Sequence, residues 1–231
     1  MILQNKTAII TGVSKGIGHT LAKMLLEKGC KVAGLGMNKP DFSEDRFQFF
    51  KTDVRNHDQV KQSIEATLSW AGKIDILVNN AGLGYFGFLE DLPIEHWQEM
   101  MEVNVNGMFY ACKYVLPHLK ENQHGHIINI ASTAALEGMP QTSGYCATKW
   151  AVKGLTESLW RECRDFKVKV TCVYPGSTQT DFFRNAPGIK PHEYMLQPED
   201  VALMIVHALE APDNCHQVNV EVRPLQPKGP K

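Results

Sequence analysis

Short apolar runs alternate with stretches of helical spacing along almost the whole chain, and that alternation constrains the fold more than any other feature. Runs of strand length fall at residues 6–11, 31–36, 47–52, 74–79, 126–131, 168–174 and 217–222. Segments with helical periodicity lie between most of them, at 17–28, 59–70, 95–119, 145–166 and 199–209. Strands that alternate with helices form parallel sheets covered on both faces, so an α/β fold of about seven strands is expected. Asn56 and Asp58 before the second helix, and Pro198, Glu199 and Asp200 at the last, are N-terminal helix signals. In such a sheet, ligands bind beyond the carboxyl ends of the strands, where the strand order reverses.

With 231 residues, 43% hydrophobic and 21% charged, the chain suffices for one sizeable core but is short for two. One domain is expected over residues 1–223, followed by an extended tail at 224–231. The net charge of -1 and dispersed basic residues leave no electrostatic footprint for nucleic acid or an anionic membrane, so the expected partner is a small molecule. No apolar stretch reaches the ~18 to 20 residues that span a bilayer, and the first strand begins too early to leave room for a signal peptide. A soluble, cytoplasmic protein is expected. The six cysteines include no Cys-x-x-Cys pair and are expected to be reduced core residues. His124-Gly125-His126 is expected to be a surface turn, and no metal site is expected.

Polar clusters follow five of the expected strands: Gly12-Val13-Ser14, Asp53-Val54, Asn79-Asn80-Ala81-Gly82, Ser132-Thr133 and Pro175-Gly176. In a parallel sheet all five fall on one edge. The first belongs to Gly12-Val13-Ser14-Lys15-Gly16-Ile17-Gly18, a glycine-rich turn between strand and helix. Glycines there permit a tight turn and a close approach, and the N–H groups and dipole of the following helix attract a pyrophosphate. Such a turn also occurs where only a bend is needed. Tyr145 and Lys149, four apart, share a helix face. A tyrosine acting as acid or base near neutral pH needs its pKa, ordinarily near 10, lowered by about three units, or roughly 4 kcal/mol. A neighbouring ammonium supplies part of that shift, and a cationic nicotinamide ring could supply more. Outside such a context, the same pair is a packed ring and a solvated charge.

Thr11-Gly12-x-x-x-Gly16-x-Gly18, Asn79-Asn80-Ala81-Gly82, Ser132 thirteen residues before Tyr145, Tyr145-x-x-x-Lys149 and Pro175-Gly176 together resemble the short-chain dehydrogenase/reductase family over nearly the whole chain. The resemblance implies a single-domain, Rossmann-type, doubly wound parallel sheet. It also implies hydride transfer between a nicotinamide cofactor and a carbonyl or alcohol. Tyr145 would be the proton donor or acceptor, and Ser132 would hydrogen-bond the reacting oxygen. Lys149 would hold the nicotinamide ribose and lower the tyrosine pKa. Asn104, which interrupts an apolar helix in Val103-Asn104-Val105-Asn106-Gly107, matches the fourth catalytic position, which helps hold a proton-relaying water. A core amide bonded to backbone is the alternative for it.

For the cofactor, the resemblance puts Gly12, Ser14, Lys15, Gly16, Ile17 and Gly18 at the phosphates and Met37 and Asn38 at the adenosine ribose. Asp53 and Val54 would meet the adenine, Asn80, Ala81 and Gly82 the adenosine side, and Pro175, Gly176, Thr178 and Thr180 the carboxamide end. Thr178 departs from the aliphatic residue usual in the family. An acid at the end of the second strand selects NAD by excluding the 2′-phosphate. Here that position is Gly36, followed by Met37, Asn38 and Lys39, and the first carboxylate is Asp41. With Lys15 in the turn, and Lys39 as a second charge, NADP is favoured over NAD.

The expected reaction is reduction of a ketone, aldehyde or 3-oxoacyl compound, or the reverse oxidation of an alcohol. Tyr85, Phe86 and Phe88 could wall the substrate pocket. The family's lid corresponds to residues 179–197, with Phe182, Phe183, Pro187, Gly188, Pro191 and Tyr194; its brevity suits an open site. Trp150, Gly154 and Ser158 share a second face of the Tyr145 helix, and the family pairs this helix across a two-fold axis, so a homodimer or homotetramer is expected. Two rival readings are a serine hydrolase, since Gly12-x-Ser14-x-Gly16 matches a nucleophile elbow, and a non-catalytic redox sensor on the same fold.

Overall fold

The computed structural model describes residues 1–182 and 192–226. Seven strands, all parallel, form one sheet in the order β3-β2-β1-β4-β5-β6-β7. They are β1 (Thr7–Thr11), β2 (Lys31–Gly36), β3 (Phe47–Lys51), β4 (Ile76–Asn79), β5 (Gly125–Ile130), β6 (Val168–Pro175) and β7 (Asn219–Val222). The helices are α1 (Gly16–Glu27), α2 (His57–Ala71), α3 (Ile94–Met101), α4 (Gly107–Glu121), α5 (Ser143–Cys163) and α6 (Pro198–Glu210).

Alternation along each strand sends successive side chains into two separate cores, one per face of the sheet. Ile9 of β1 joins Ala33 and Leu35 of β2 beneath α2, α4 and α5. Its neighbours Ala8 and Ile10 meet Leu21 and Leu25 of α1 and Ile205 and Leu209 of α6 on the other side. Burial on both faces is why the strands read as continuous apolar runs. Edge strand β7 alternates exposed and half-buried residues.

The expected helix starts are present. Asn56 caps α2 by accepting from the backbone N–H groups of Asp58 and Gln59 at 3.0 and 3.1 Å. Pro198 opens α6, and the Asp200 carboxylate accepts from Gln197 N at 2.8 Å. The single helix expected over 95–119 is instead α3 and α4 joined through a π-helical segment, Glu102–Asn106. The widened turn there centres on Asn104.

Two sequence expectations are corrected. His126 is not in a surface turn; it lies in β5, fully buried, with Nε2 2.7 Å from Thr171 Oγ1, a polar partner that makes its burial tolerable. Cys215 is exposed, whereas the other five cysteines are buried. Phe183, Pro187, Gly188 and Pro191 of the expected lid, and residues 227–231 of the expected tail, lie outside the described residues. Among the described residues, no helix is long and apolar enough to cross a membrane, and no group of three or more His, Cys, Asp or Glu is placed to hold a metal ion.

Candidate active site

Because every strand runs the same way, the five polar clusters converge on the carboxyl edge of the sheet, where β1 stands between β2 and β4. The glycine turn after β1 is built by close approaches. Gly12 and Gly16 have φ of +75° and +61°, a region that favours glycine. A Cβ on Gly18 would stand 2.3 Å from both Gly12 O and Asn80 Nδ2, so only hydrogen fits. Asn80 braces the turn from β4, donating through Nδ2 to Thr11 O and Gly12 O at 2.9 Å each. Thr11 Oγ1 in return accepts from Asn80 N and Ala81 N, both at 3.0 Å.

Helix α1 starts at this turn with no side-chain cap from Lys15 and no acid in its first turn. Its N–H groups and dipole therefore face an anion-sized approach lined by glycine, which fits the pyrophosphate of a dinucleotide. Thr180 closes the far side, its Cγ2 3.2 Å from where a Gly16 Cβ would be. Lys15 Nζ reaches across to Asp181 Oδ2 at 3.0 Å. That pair was not foreseen; its members are 166 positions apart, and only the location of Asp181 beside Thr180 hinted at it.

Around this turn, Met37 is exposed and Asn38 follows it on the surface after β2. Asp41, the first carboxylate beyond β2, is held by His19 Nε2 at 2.7 Å. Asp53 forms a two-pronged pair with Arg55, which holds its carboxyl below the usual range, and its backbone N–H donates to Gln59. Val54 is buried against Gly107 at the start of α4. Pro175 ends β6, Gly176 N donates to Val222 O at 2.8 Å, and Thr178 is buried with its hydroxyl on Gly176 O. Ser14 and Ile17 are partly buried in the turn and the first turn of α1.

Opposite the turn, the first residues of α5 bring Tyr145 and Lys149 to one face, with Lys149 Nζ 5.7 Å from the centre of the tyrosine ring. Ser132, just beyond β5, stands close enough to the Tyr145 phenol to favour its ionised form. Its hydroxyl also accepts from Ala134 N at 3.2 Å and lies 3.5 Å from Pro175 O. Lys149 is 5% exposed and donates to Ile130 O at 2.9 Å. A Cβ on Gly82 would stand 3.3 Å from Asn104 Oδ1 and 3.7 Å from Lys149 Nζ, so this glycine lets β4's loop lie against both. Asn104 is buried and bonded to backbone, and its Nδ2 also donates to Thr148 Oγ1 at 3.0 Å. Thr148, absent from the sequence reading, passes a hydrogen bond on to Tyr145 O at 2.8 Å.

The electrostatics qualify one expectation. Burial raises the Tyr145 phenol above its ordinary value, and the neighbouring Ser132 hydroxyl offsets only part of that. Burial also lowers Lys149 to about 8. The side chains alone therefore do not bring the tyrosine toward neutral pH, because loss of water outweighs the Ser132 hydroxyl.

A family model for the short chain dehydrogenase matches residues 6–188. An uncharacterized oxidoreductase of Staphylococcus aureus is 33% identical over 231 residues, covering 97% of this chain and 99% of that protein. Among solved structures, a 3-ketoacyl-(acyl-carrier-protein) reductase from Brucella melitensis, complexed with NADH, superposes with a TM-score of 0.90 at 29% identity, over 97% of this chain and 99% of that one. An alcohol dehydrogenase from the archaeon Thermococcus sibiricus, complexed with 5-hydroxy-NADP, gives 0.86 at 29% identity, over 98% and 99%.

Proposed function

The chain belongs to the short-chain dehydrogenase family, and on that premise we propose that it is a carbonyl reductase and alcohol dehydrogenase working with NADP(H). The observation that carries this reading is the meeting of Ser132, Tyr145 and Lys149 at the edge where the glycine turn opens. The dinucleotide, when bound, supplies hydride to the carbonyl carbon or accepts it from the alcohol. Tyr145 gives its phenolic proton to the carbonyl oxygen in reduction and takes it back in oxidation. Ser132 donates a hydrogen bond to the same oxygen, which keeps it within reach of the phenol.

Lys149, poorly solvated and held on Ile130 O, favours the ionised phenolate once the proton has left. It is also the residue that would hold the nicotinamide ribose. Asn104 and Gly82 fix the floor beneath it. Gly12 to Gly18 would hold the phosphates, Asp53, Val54, Asn80 and Ala81 the adenosine half, and Pro175, Gly176, Thr178 and Thr180 the carboxamide. NADP is favoured because no carboxylate ends β2, Asp41 is engaged by His19, and Lys15 stands at the turn. The exposed faces carrying Phe109 of α4 and Trp150 of α5 support assembly as a homodimer or homotetramer. Sedimentation equilibrium giving a monomer mass would remove that part.

The test is a carbonyl panel incubated with the protein and NADPH or NADH, following loss of the reduced nicotinamide. Turnover faster with NADPH supports the reading. No turnover of any ketone, aldehyde or 3-oxoacyl compound with either nucleotide contradicts it.

A further inference from the structure

Two phenylalanines from different parts of the chain bracket the ring of Tyr145. Phe86 follows β4 and Phe182 follows β6, and each centroid lies 5.4 Å from that of Tyr145, tilted by 50° and 57°. The two phenylalanines meet each other near-perpendicularly at 6.3 Å. Gly84 makes the arrangement feasible, because a Cβ there would stand 2.9 Å from Phe182 Cζ and 3.0 Å from the Phe86 ring. With Met100, Ala134 and Cys146 these rings form an apolar cluster separate from the two cores that hold the sheet. Beyond Phe86 lies a cavity of about 470 Å³, lined also by Tyr85, Asp91, Leu92 and His96. Its wall is stiff: Tyr85 and His96 stack at 3.8 Å and 3°, and the Tyr85 hydroxyl donates to Glu99 at 2.7 Å.

We propose that Phe86 and Phe182 set the substrate class, selecting aldehydes and ketones whose carbonyl carries a flat, apolar substituent such as an aryl or conjugated group. The inference rests on Tyr145 being the proton donor, because the carbonyl oxygen must then meet its hydroxyl. The substituent is thereby carried in beside the tyrosine ring, within reach of both phenylalanines. Aromatic rings reward another ring, edge-on or offset, beyond the area it buries. A saturated ring of equal carbon count is thicker and lacks the charged faces and edges that such contacts use. The Asp91 carboxylate that lines the cavity disfavours an anionic substituent.

The experiment measures, for the protein with NADP(H), the affinities for the unreactive pair benzamide and cyclohexanecarboxamide and kcat/KM for benzaldehyde and cyclohexanecarbaldehyde. Wild type, Phe86→Leu, Phe182→Leu and Phe86→Tyr are compared, so intrinsic reactivity cancels between variants. Each leucine variant should lower the aryl-to-cyclohexyl ratio by about fivefold, and Phe86→Tyr, which keeps the ring, should retain it. An aryl preference that both leucine variants leave within about twofold of wild type overturns the inference. A ratio that shifts in binding while no aldehyde is reduced would leave the two rings only a preference for flat ligands, overturn their setting of a substrate class, and refute the proton-donor reading.

Discussion

Asn104 and Leu83 are joined by two hydrogen bonds in opposite directions: Asn104 Nδ2 donates to Leu83 O at 2.8 Å, and Leu83 N donates to Asn104 Oδ1 at 2.9 Å. The amide thus mimics a strand partner and ties the π-helical turn to the loop that carries Gly82 past Lys149. Replacing it by alanine strands both backbone groups and removes the bond that Thr148 Oγ1 accepts. Asn104→Ala should cost roughly 3 kcal/mol, which lowers Tm by about 6 to 12 °C. Calorimetry giving a melting point equal to wild type would show that the bonds do not hold the loop.

Gly18→Ala tests the cradle. The new methyl would meet Gly12 O and Asn80 Nδ2 at 2.3 Å, and these atoms are backbone and a braced amide, so the turn itself has to move. NADPH affinity should fall by about tenfold or more, a loss of roughly 1.4 kcal/mol. Titration by tryptophan quenching reads this directly, and unchanged affinity would mean that the turn does not hold the phosphates.

Lys15 shares its charge with Asp181 at 3.0 Å, and both are more than half exposed. A 2′-phosphate drawn to Lys15 competes with that carboxylate. Asp181→Asn should raise NADPH affinity about threefold more than NADH affinity, within the modest range of surface pairs. Equal changes for the two nucleotides would remove Lys15 from cofactor selection.

His126 predicts acid sensitivity. Thr171 spends its hydroxyl proton on Gln217 O at 2.6 Å, so it accepts from His126 Nε2–H, and His126 Nδ1 is left buried with no partner among the described residues. Burial, with His216, Lys169 and His124 adding positive charge, holds its pKa well below the ordinary 6.5. Below that value the unfolded chain binds the proton that the folded one refuses, so stability falls with pH, by at most about 1.4 kcal/mol per unit from this group. The half-buried His124 and His216, also lowered, add to the trend. Melting curves at pH 7.5 and 5.5 should show a smaller acid loss in His126→Gln than in wild type; equal losses would place the sensitivity elsewhere.

The inner strands were legible because each is buried on two faces and so reads as an apolar run, and Tyr145 with Lys149 because helical spacing alone puts them on one face. Other features depend on contacts that spacing does not encode. The π-helical turn at Asn104 differs from an α-helix by a one-residue shift of hydrogen bonds, leaving the apolar pattern nearly unchanged. His126 was misjudged by its polarity, since the Thr171 hydroxyl that meets its Nε2 comes from a neighbouring strand 45 residues on. The pairing of Lys15 with Asp181, and of Phe86 with Phe182 around Tyr145, exists only once β1, β4 and β6 are aligned. The raised phenol pKa was likewise hidden, because burial is a property of the packed site.

Tyr145→Phe is the most direct test of the central claim. It removes one oxygen and leaves a ring to pack between Phe86 and Phe182, so fold and nucleotide binding should persist. Single-turnover reduction of a carbonyl substrate by the NADPH-loaded variant should fall by about a hundredfold or more, with NADPH affinity unchanged. Reduction at a rate close to wild type would contradict the assignment of Tyr145 as the proton donor.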